Sequence, residues 1–310
     1  MITSPYAAAL AALPTERRQL LVHGSRTAYW VYGDDSAGPT VVLVHGFRGD
    51  HHGMEPIVAA LDGCRLVVPD LPGFGESTPF DSAPHDVDSY ASWLRELVGE
   101  LDLREDPVVL GHSFGSLVVA AALRAGLTTP LAILVNPIAA PALEGPRGLL
   151  TRLAAGYYWL GARLPERLGL ALLSSPGVVR GLSLVLAKTK DPVVRRWIHD
   201  QHRRYFSVFA SRQVVLEAFR ASVGSDVALF APDITVLTLL IGGDRDDITS
   251  PAAHRRLAEL LPHSELTMIS GVGHLIHYEA PDRAAHAIRL ATERSGLGPA
   301  PPGPSAVEPG

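Results

Sequence analysis

Ser113, His274 and an acidic loop at positions 244–247 are the residues of this 310-residue chain whose types and settings could together activate a hydroxyl for attack. Ser113 lies in Asp106-Pro-Val-Val-Leu-Gly-His-Ser-Phe-Gly-Ser-Leu, which fits G-x-S-x-G with Gly111 and Gly115. An apolar run at 107–110 enters the motif and helix formers at 116–125 leave it. In that context the pattern predicts a strand–turn–helix elbow that lifts a serine hydroxyl to the edge of a sheet. Glycines suit a turn too sharp to tolerate side chains. A serine at its free pKa is a poor nucleophile: it needs a base within hydrogen-bond reach, and the base needs a carboxylate to fix its tautomer. His274, in Ile269-Ser-Gly-Val-Gly-His-Leu-Ile-His-Tyr-Glu, offers the base. Asp244, Asp246 and Asp247, after the apolar run 236–241, offer three candidates for the acid.

A fourth component is expected in Thr40-Val-Val-Leu-Val-His-Gly-Phe-Arg-Gly, a β-branched run that ends at His45-Gly46. The backbone N–H of Phe47 can there meet that of Phe114, the residue after the serine. Two such donors aimed at one point make an oxyanion hole.

These motifs resemble the α/β-hydrolase superfamily, in its capped branch, over roughly residues 20–293. The order serine, acid, histidine along the chain is the order of that fold. Val67-Val-Pro-Asp-Leu-Pro-Gly-Phe-Gly-Glu-Ser is similar to its D-x-P-G-x-G-x-S segment, and Gly243-Asp-Arg-Asp-Asp to its G-x-x-D acid loop. That match selects Asp246 as the acid, with Asp244 second. Some relatives carry the acid after the preceding strand, but Asn136 stands there and cannot ionise.

The resemblance implies a serine hydrolase that cleaves a carboxylic ester through an acyl-enzyme, with a small-molecule substrate and neither cofactor nor metal. Two alternatives accompany it. One is carbon–carbon hydrolysis of a meta-cleavage product, although relatives of that kind carry Trp after the histidine and this chain has Leu275. The other is a slow-turnover receptor that keeps the triad. Arg48 and Leu275 are expected at the substrate, Arg48 against a carboxylate; an acidic neighbour is the commoner fate of such an arginine. His277 reads as a packing residue, and His51 and His52 as loop residues.

The elements that must position these groups follow from hydrophobic runs. Residues 20–31 read as an opening hairpin, and continuous apolar runs at 41–45, 65–69, 107–112, 131–136, 234–242 and 265–270 read as strands buried on both faces of a mostly parallel sheet. Helical stretches at 53–61, 86–101, 114–126, 251–261 and 279–294 separate them. The expected division is an extension at 1–19, core at 20–138, an all-helical cap at 139–230, core again at 231–294 and a disordered Pro/Gly-rich tail at 295–310. The cap rests on helical patterns within nearly a hundred strandless residues, too long for an unstructured loop. It holds thirteen basic and six acidic residues, a net of +7, against −5 for the whole chain. That balance fits either a solvated surface or attraction of anionic substrates or a membrane surface.

The net charge argues against a nucleic-acid partner. A lone cysteine, Cys64, excludes an internal disulfide and fits a reducing compartment. The N-terminus lacks a basic region ahead of its apolar residues, so a cytoplasmic location without integral membrane contact is expected. The oligomeric state stays open, a homodimer included.

Overall fold

The computed structural model describes residues 2–34, 38–140 and 148–297. Eight strands build one sheet: β1 (Thr15–Val22), β2 (Ser25–Tyr32), β3 (Thr40–Val44), β4 (Arg65–Pro69), β5 (Val108–His112), β6 (Ala132–Val135), β7 (Thr238–Gly243) and β8 (Ser264–Ile269). Their order is β1-β2-β4-β3-β5-β6-β7-β8. β1 and β2 are antiparallel, and every pairing from β4 to β8 is parallel. The helices are α1 (Ala7–Ala12), α2 (Glu55–Ala60), α3 (Val87–Glu100), α4 (Phe114–Arg124), α5 (Gly148–Arg163), α6 (Glu166–Leu173), α7 (Pro176–Leu186), α8 (Pro192–Tyr205), α9 (Arg212–Gly224), α10 (Pro251–Leu260), α11 (Ile276–Glu279) and α12 (Pro281–Arg294).

The sheet divides the core in two. Val42, Val44, Val109 and Leu134 face one apolar cluster with α3 and α4, while Val41, Leu43, Leu110 and Ile133 face another with α2 and α12. β5 is buried along its whole length, as its unbroken apolar run requires of a central parallel strand.

Three boundaries differ from the sequence expectation. The opening hairpin starts at Thr15 rather than at 20, because β1 is an edge strand whose exposed residues 15–19 carry no apolar signal. β7 starts at Thr238 rather than at 234, where Ala132 and Ser264 first supply neighbours on both sides. The helix expected at 279–294 starts at Pro281 instead, as α12 after the short α11, because the proline ring forces the preceding Ala280 out of the helical region (φ −149°, ψ 48°).

Between β6 and β7 the described residues form five α-helices, α5 to α9, two short 3-10 helices at Val227–Leu229 and Ala231–Asp233, and no strand. The expected tail falls mostly outside the described residues, as does 141–147 at the start of the insertion.

Candidate active site

The turn from β5 into α4 holds Ser113 at φ +53° and ψ −117°. A non-glycine residue rarely adopts such a conformation, which is strain of a kind that clusters at functional sites. The neighbours explain why the elbow tolerates nothing but glycine on either side. A Cβ on Gly111 would lie 2.3 Å from the Gly115 carbonyl oxygen, and one on Gly115 would lie 2.2 Å from that of Val44. Helix and strands therefore meet backbone to backbone. The Ser113 N–H donates to the Val135 carbonyl at 3.0 Å, and Ser116 Oγ donates to the Ser113 carbonyl at 2.5 Å. Ser113 itself is half-buried.

His274 and Asp246 reach this serine from the loops after β8 and β7. His274 Nε2 stands 2.8 Å from Ser113 Oγ, and His274 Nδ1 stands 2.9 Å from Asp246 Oδ2. The other carboxylate oxygen, Oδ1, accepts from the N–H groups of Ile248 at 2.7 Å and Thr249 at 3.1 Å. Burial works against the charge on Asp246, but His274, His254 and these hydrogen bonds outweigh it and hold the carboxyl well below the usual carboxylate range. Of the three candidate acids, Asp246 is thus the one at the histidine. Asp244 is exposed and caps the Gly271 N–H, and Asp247 pairs with Lys188.

Two supports of the acid escaped the sequence reading. Asn136, at the end of β6, donates through Nδ2 to Asp246 Oδ2 at 2.8 Å, and it does so from φ +44°. Its appearance where some relatives carry the acid was the available signal: the position points at the same spot. His254, fully buried on α10, brings Nε2 to 3.9 Å from Asp246 Oδ2, and nothing in its local sequence announces that.

Phe47 and Phe114 also converge. A Cβ on Gly46 would lie 3.2 Å from the Cβ of Ser113, so the loop after β3 passes hard against the nucleophile. The Phe47 and Phe114 rings meet at 6.5 Å. As the first residue of α4, Phe114 has a backbone N–H with no intrahelical acceptor, at the positive end of the helix.

Arg48 meets no carboxylate among the described residues; its guanidinium is spent inside the protein. It is 1% exposed, and its guanidinium donates to the carbonyls of Phe206 and Leu173 at 2.9 and 2.8 Å, to Tyr158 Oη at 3.2 Å and to Ser207 Oγ at 2.9 Å. All four acceptors belong to the helical insertion, so the arginine fastens that insertion to the loop after β3. Leu275 packs with Trp197, Ile198 and Tyr278 in an apolar cluster under α8. His277 is buried between His112 and Tyr278, with ring centroids 4.0 and 4.2 Å away. Desolvation first, then neighbouring histidines, push its pKa far down, and the same causes bring His112 to about 3.

His51 is buried, with Nδ1 2.9 Å from Asp70 Oδ1, and His52 stacks on Tyr205 at 3.8 Å, so neither is the free loop residue expected. With Asp50 they bring three ligand-type atoms within 4.8 Å of one another. His52 and Asp70 already occupy the facing atoms of Asp50 and His51.

A strained serine on a strand–helix elbow, with histidine and aspartate delivered by later strands of a parallel sheet, defines the class of α/β enzymes that do nucleophilic chemistry at strand C-termini. The profile of the Alpha/beta hydrolase family matches residues 41–287, and the chain belongs to that family. It is 25% identical to Lipase 1 of Psychrobacter immobilis over 280 residues, covering 86% of this chain and 80% of that one. It is 28% identical to the pimeloyl-[acyl-carrier protein] methyl ester esterase of Stenotrophomonas maltophilia, covering 81% and 92%. A thermophilic esterase from Thermogutta terrifontis superimposes with a TM-score of 0.70 at 23% identity, covering 90% of this chain and 99% of that structure.

Proposed function

We propose that this protein is a serine hydrolase that cleaves carboxylic esters through an acyl-enzyme on Ser113, His274 and Asp246. The observation that carries the reading is the unbroken line from Asp246 Oδ2 through the His274 ring to Ser113 Oγ, with both hydrogen-bond distances under 3 Å. Lipase and methyl ester esterase relatives at low identity support the ester bond as the target.

In this reading His274 Nε2 takes the Ser113 proton as Oγ attacks the ester carbonyl, then returns it to the departing alkoxide. Water then attacks the acyl carbon as His274 takes its proton, the acyl–oxygen bond to Ser113 breaks to release the acid, and His274 returns the proton to Ser113 Oγ. Asp246 holds the proton on Nδ1 throughout, so that Nε2 presents a lone pair to the serine. The N–H groups of Phe47 and Phe114 face the oxyanion; each such donor contributes on the order of 3 kcal/mol to the barrier lowering. Phe47 also touches the rings of Phe74, Phe114, Tyr158 and Phe219, centroids 6.0–6.5 Å apart. These aromatics, two of them from the helical insertion, favour an apolar acyl group beside the nucleophile.

A fluorophosphonate probe tests the assignment. One label on the peptide that contains Ser113, lost in Ser113→Ala, is the expected result. Labelling that survives Ser113→Ala would sink it.

A further inference from the structure

Helices α5 to α8 expose what a water-facing surface ordinarily hides. The run Glu166–Leu186 spans 21 residues with Glu166, Arg167 and Arg180 as its charges, and only 22% of its most apolar stretch is buried. By length and composition it could cross a membrane, which the sequence reading did not anticipate. It is broken between Leu173 and Pro176, and Gly169, Leu173, Val179 and Ser183 are held against protein. It therefore lies along the molecule rather than standing free of it. Leu168 is 59% exposed and Leu184 is 55% exposed; Leu170, Leu182 and Val185 are exposed beside them. On α5 the exposed residues 152, 153, 156, 159 and 160 recur at helical spacing and include Leu153 and Trp159, the latter 58% exposed.

These helices form two packed pairs that follow one another along the chain. α5 packs on α6 and α7 packs on α8. Leu173 of α6 fills the space over Gly161 of α5, and Ser183 Oγ of α7 lies 2.6 and 2.8 Å from Nδ1 of His199 and His202 on α8. Residues 148–205 hold ten basic and three acidic side chains, a net of +7. Arg152, Arg163, Arg167, Arg180, Arg195 and Arg196 are all exposed among the apolar residues, and Arg163 lies over the Trp159 ring at 5.1 Å. Beside α7 a cleft of about 450 Å³ has Pro176 and Val179 in its wall and Arg180, Arg196 and Arg203 around it. Asp200 also lines it, with its carboxylate already bridged by Arg203 and Arg204.

We propose that this outer face of the helical insertion docks on an anionic lipid surface. The leucines and Trp159 enter the boundary between headgroups and acyl chains, and the arginines meet lipid phosphates. Apolar faces rimmed by basic residues bind interfaces in this way. Exposed apolar area alone would suit a second copy of the chain equally well. The charge decides between them: face-to-face copies would set +7 against +7, whereas a bilayer of anionic lipid attracts the exposed arginines of both helix pairs. A polyanion such as RNA would satisfy the arginines and leave the leucines in water.

Full-length protein carrying Ser113→Ala provides the test, because binding is then read without turnover and stands apart from the hydrolase reading. Co-sedimentation is measured with phosphatidylcholine vesicles, with and without phosphatidylglycerol. Retention on the anionic vesicles, weakening as salt rises, is the expected result. Arg180→Glu or Arg196→Glu should lower partitioning about fivefold or more, and Leu168→Asp with Leu184→Asp about tenfold or more. Trp30, Trp93 and Trp197 are buried, so a blue shift in fluorescence on vesicle addition reports Trp159 and should vanish in Trp159→Phe. Unchanged circular dichroism in the aspartate variants shows that they fold. The proposal is overturned by no retention on anionic vesicles, by equal retention on neutral ones at all salt concentrations, or by a concentration-dependent dimer that Leu184→Asp disperses.

Discussion

Replacing Asp246 by asparagine changes one oxygen to an NH₂ and leaves the shape of the side chain intact. The surroundings decide which oxygen it displaces. Oδ1 receives the N–H groups of Ile248 and Thr249, which are fixed backbone donors. An NH₂ there would leave two buried donors facing a third. Oδ2 receives Asn136 Nδ2 and His274 Nδ1, and of these the imidazole can adapt by changing tautomer. The amide NH₂ therefore settles opposite His274, whose Nδ1 must then accept. The proton moves to Nε2, toward Ser113 Oγ at 2.8 Å, and the base no longer has a lone pair for the serine. The loss expected is about 10⁴-fold in kcat, the size seen when a serine-protease triad aspartate is so changed, or about 5 kcal/mol of barrier. Initial rates on p-nitrophenyl esters of short acids provide the assay. Asp244→Asn and Asp247→Asn serve as controls, since the first caps a loop N–H and the second pairs with Lys188. A loss of less than about tenfold in Asp246→Asn, or a larger one in Asp244→Asn, would refute the tautomer argument.

Other expectations follow from packing and burial. Gly115→Ala should prevent folding or destabilise it by about 3 kcal/mol or more, because its Cβ would sit 2.2 Å from the Val44 carbonyl with backbone on both sides. Gly99→Ala, in open space on α3, should instead stabilise the fold by up to about 1 kcal/mol, read as a higher denaturant midpoint; equal effects would discredit the geometry of the elbow. Arg48→Met should leave the Phe206 and Leu173 carbonyls without their guanidinium partner, at about 1–3 kcal/mol each where burial keeps water away. Limited proteolysis should then cut first within the insertion, and unchanged cleavage would show that Arg48 does not fasten it. The buried His112 and His202 are both brought down to about 3, first by desolvation and then by neighbouring histidines, and so remain neutral in the fold. Their unfolded counterparts take up protons near pH 6.5, so the unfolded state binds more protons between about pH 6.5 and 3 and stability falls as pH falls through that window. At pH 5 each contributes about 2 kcal/mol of loss. Urea midpoints that stay level from pH 7.5 to 5, in the protein and in His202→Gln alike, would contradict that sign.

The sequence disclosed those parts of the fold whose signal is local. β5, the elbow and α4 lie within 17 residues, 108–124, and their pattern of apolar run, glycines and helix formers follows from contacts each makes with its immediate neighbours. The acid loop was legible for a similar reason: Gly243 ends β7 where the backbone of Val272 and Gly273 leaves no room for a side chain, and Asp246 follows three positions later. Asn136 was seen as the wrong residue for an acid, while its actual task, donating to Asp246 across 110 positions of chain, depends on β6 and β7 being adjacent. Arg48 was misread for the same kind of reason. Its partners lie 110 to 159 positions away in the insertion, and no local pattern distinguishes a buried arginine serving carbonyls from an exposed one serving a substrate. The exposed face of α5 to α7 was hidden because an apolar helical pattern reads as core until a structure shows that nothing covers it.

The insertion is fastened to the same loops that carry the chemistry. Arg48, next to Phe47, holds α6 and the turn after α8; Gly75, in the loop after β4, donates to the Val208 carbonyl at 3.1 Å. At the other end, Glu279 accepts from the Thr189 N–H at 2.8 Å and from the Gly273 N–H at 3.4 Å, one position before His274. Lys188 pairs with Asp247, one position after Asp246. The tethers through Arg48, Glu279 and Lys188 therefore end within a few residues of a proposed donor, base or acid. A displacement of α5 to α8 must strain or release at least one of these loops. The insertion's position and the alignment of the site are mechanically linked, and a force applied to its outer face, such as docking on a surface, reaches the catalytic geometry through bonds of ordinary hydrogen-bond strength.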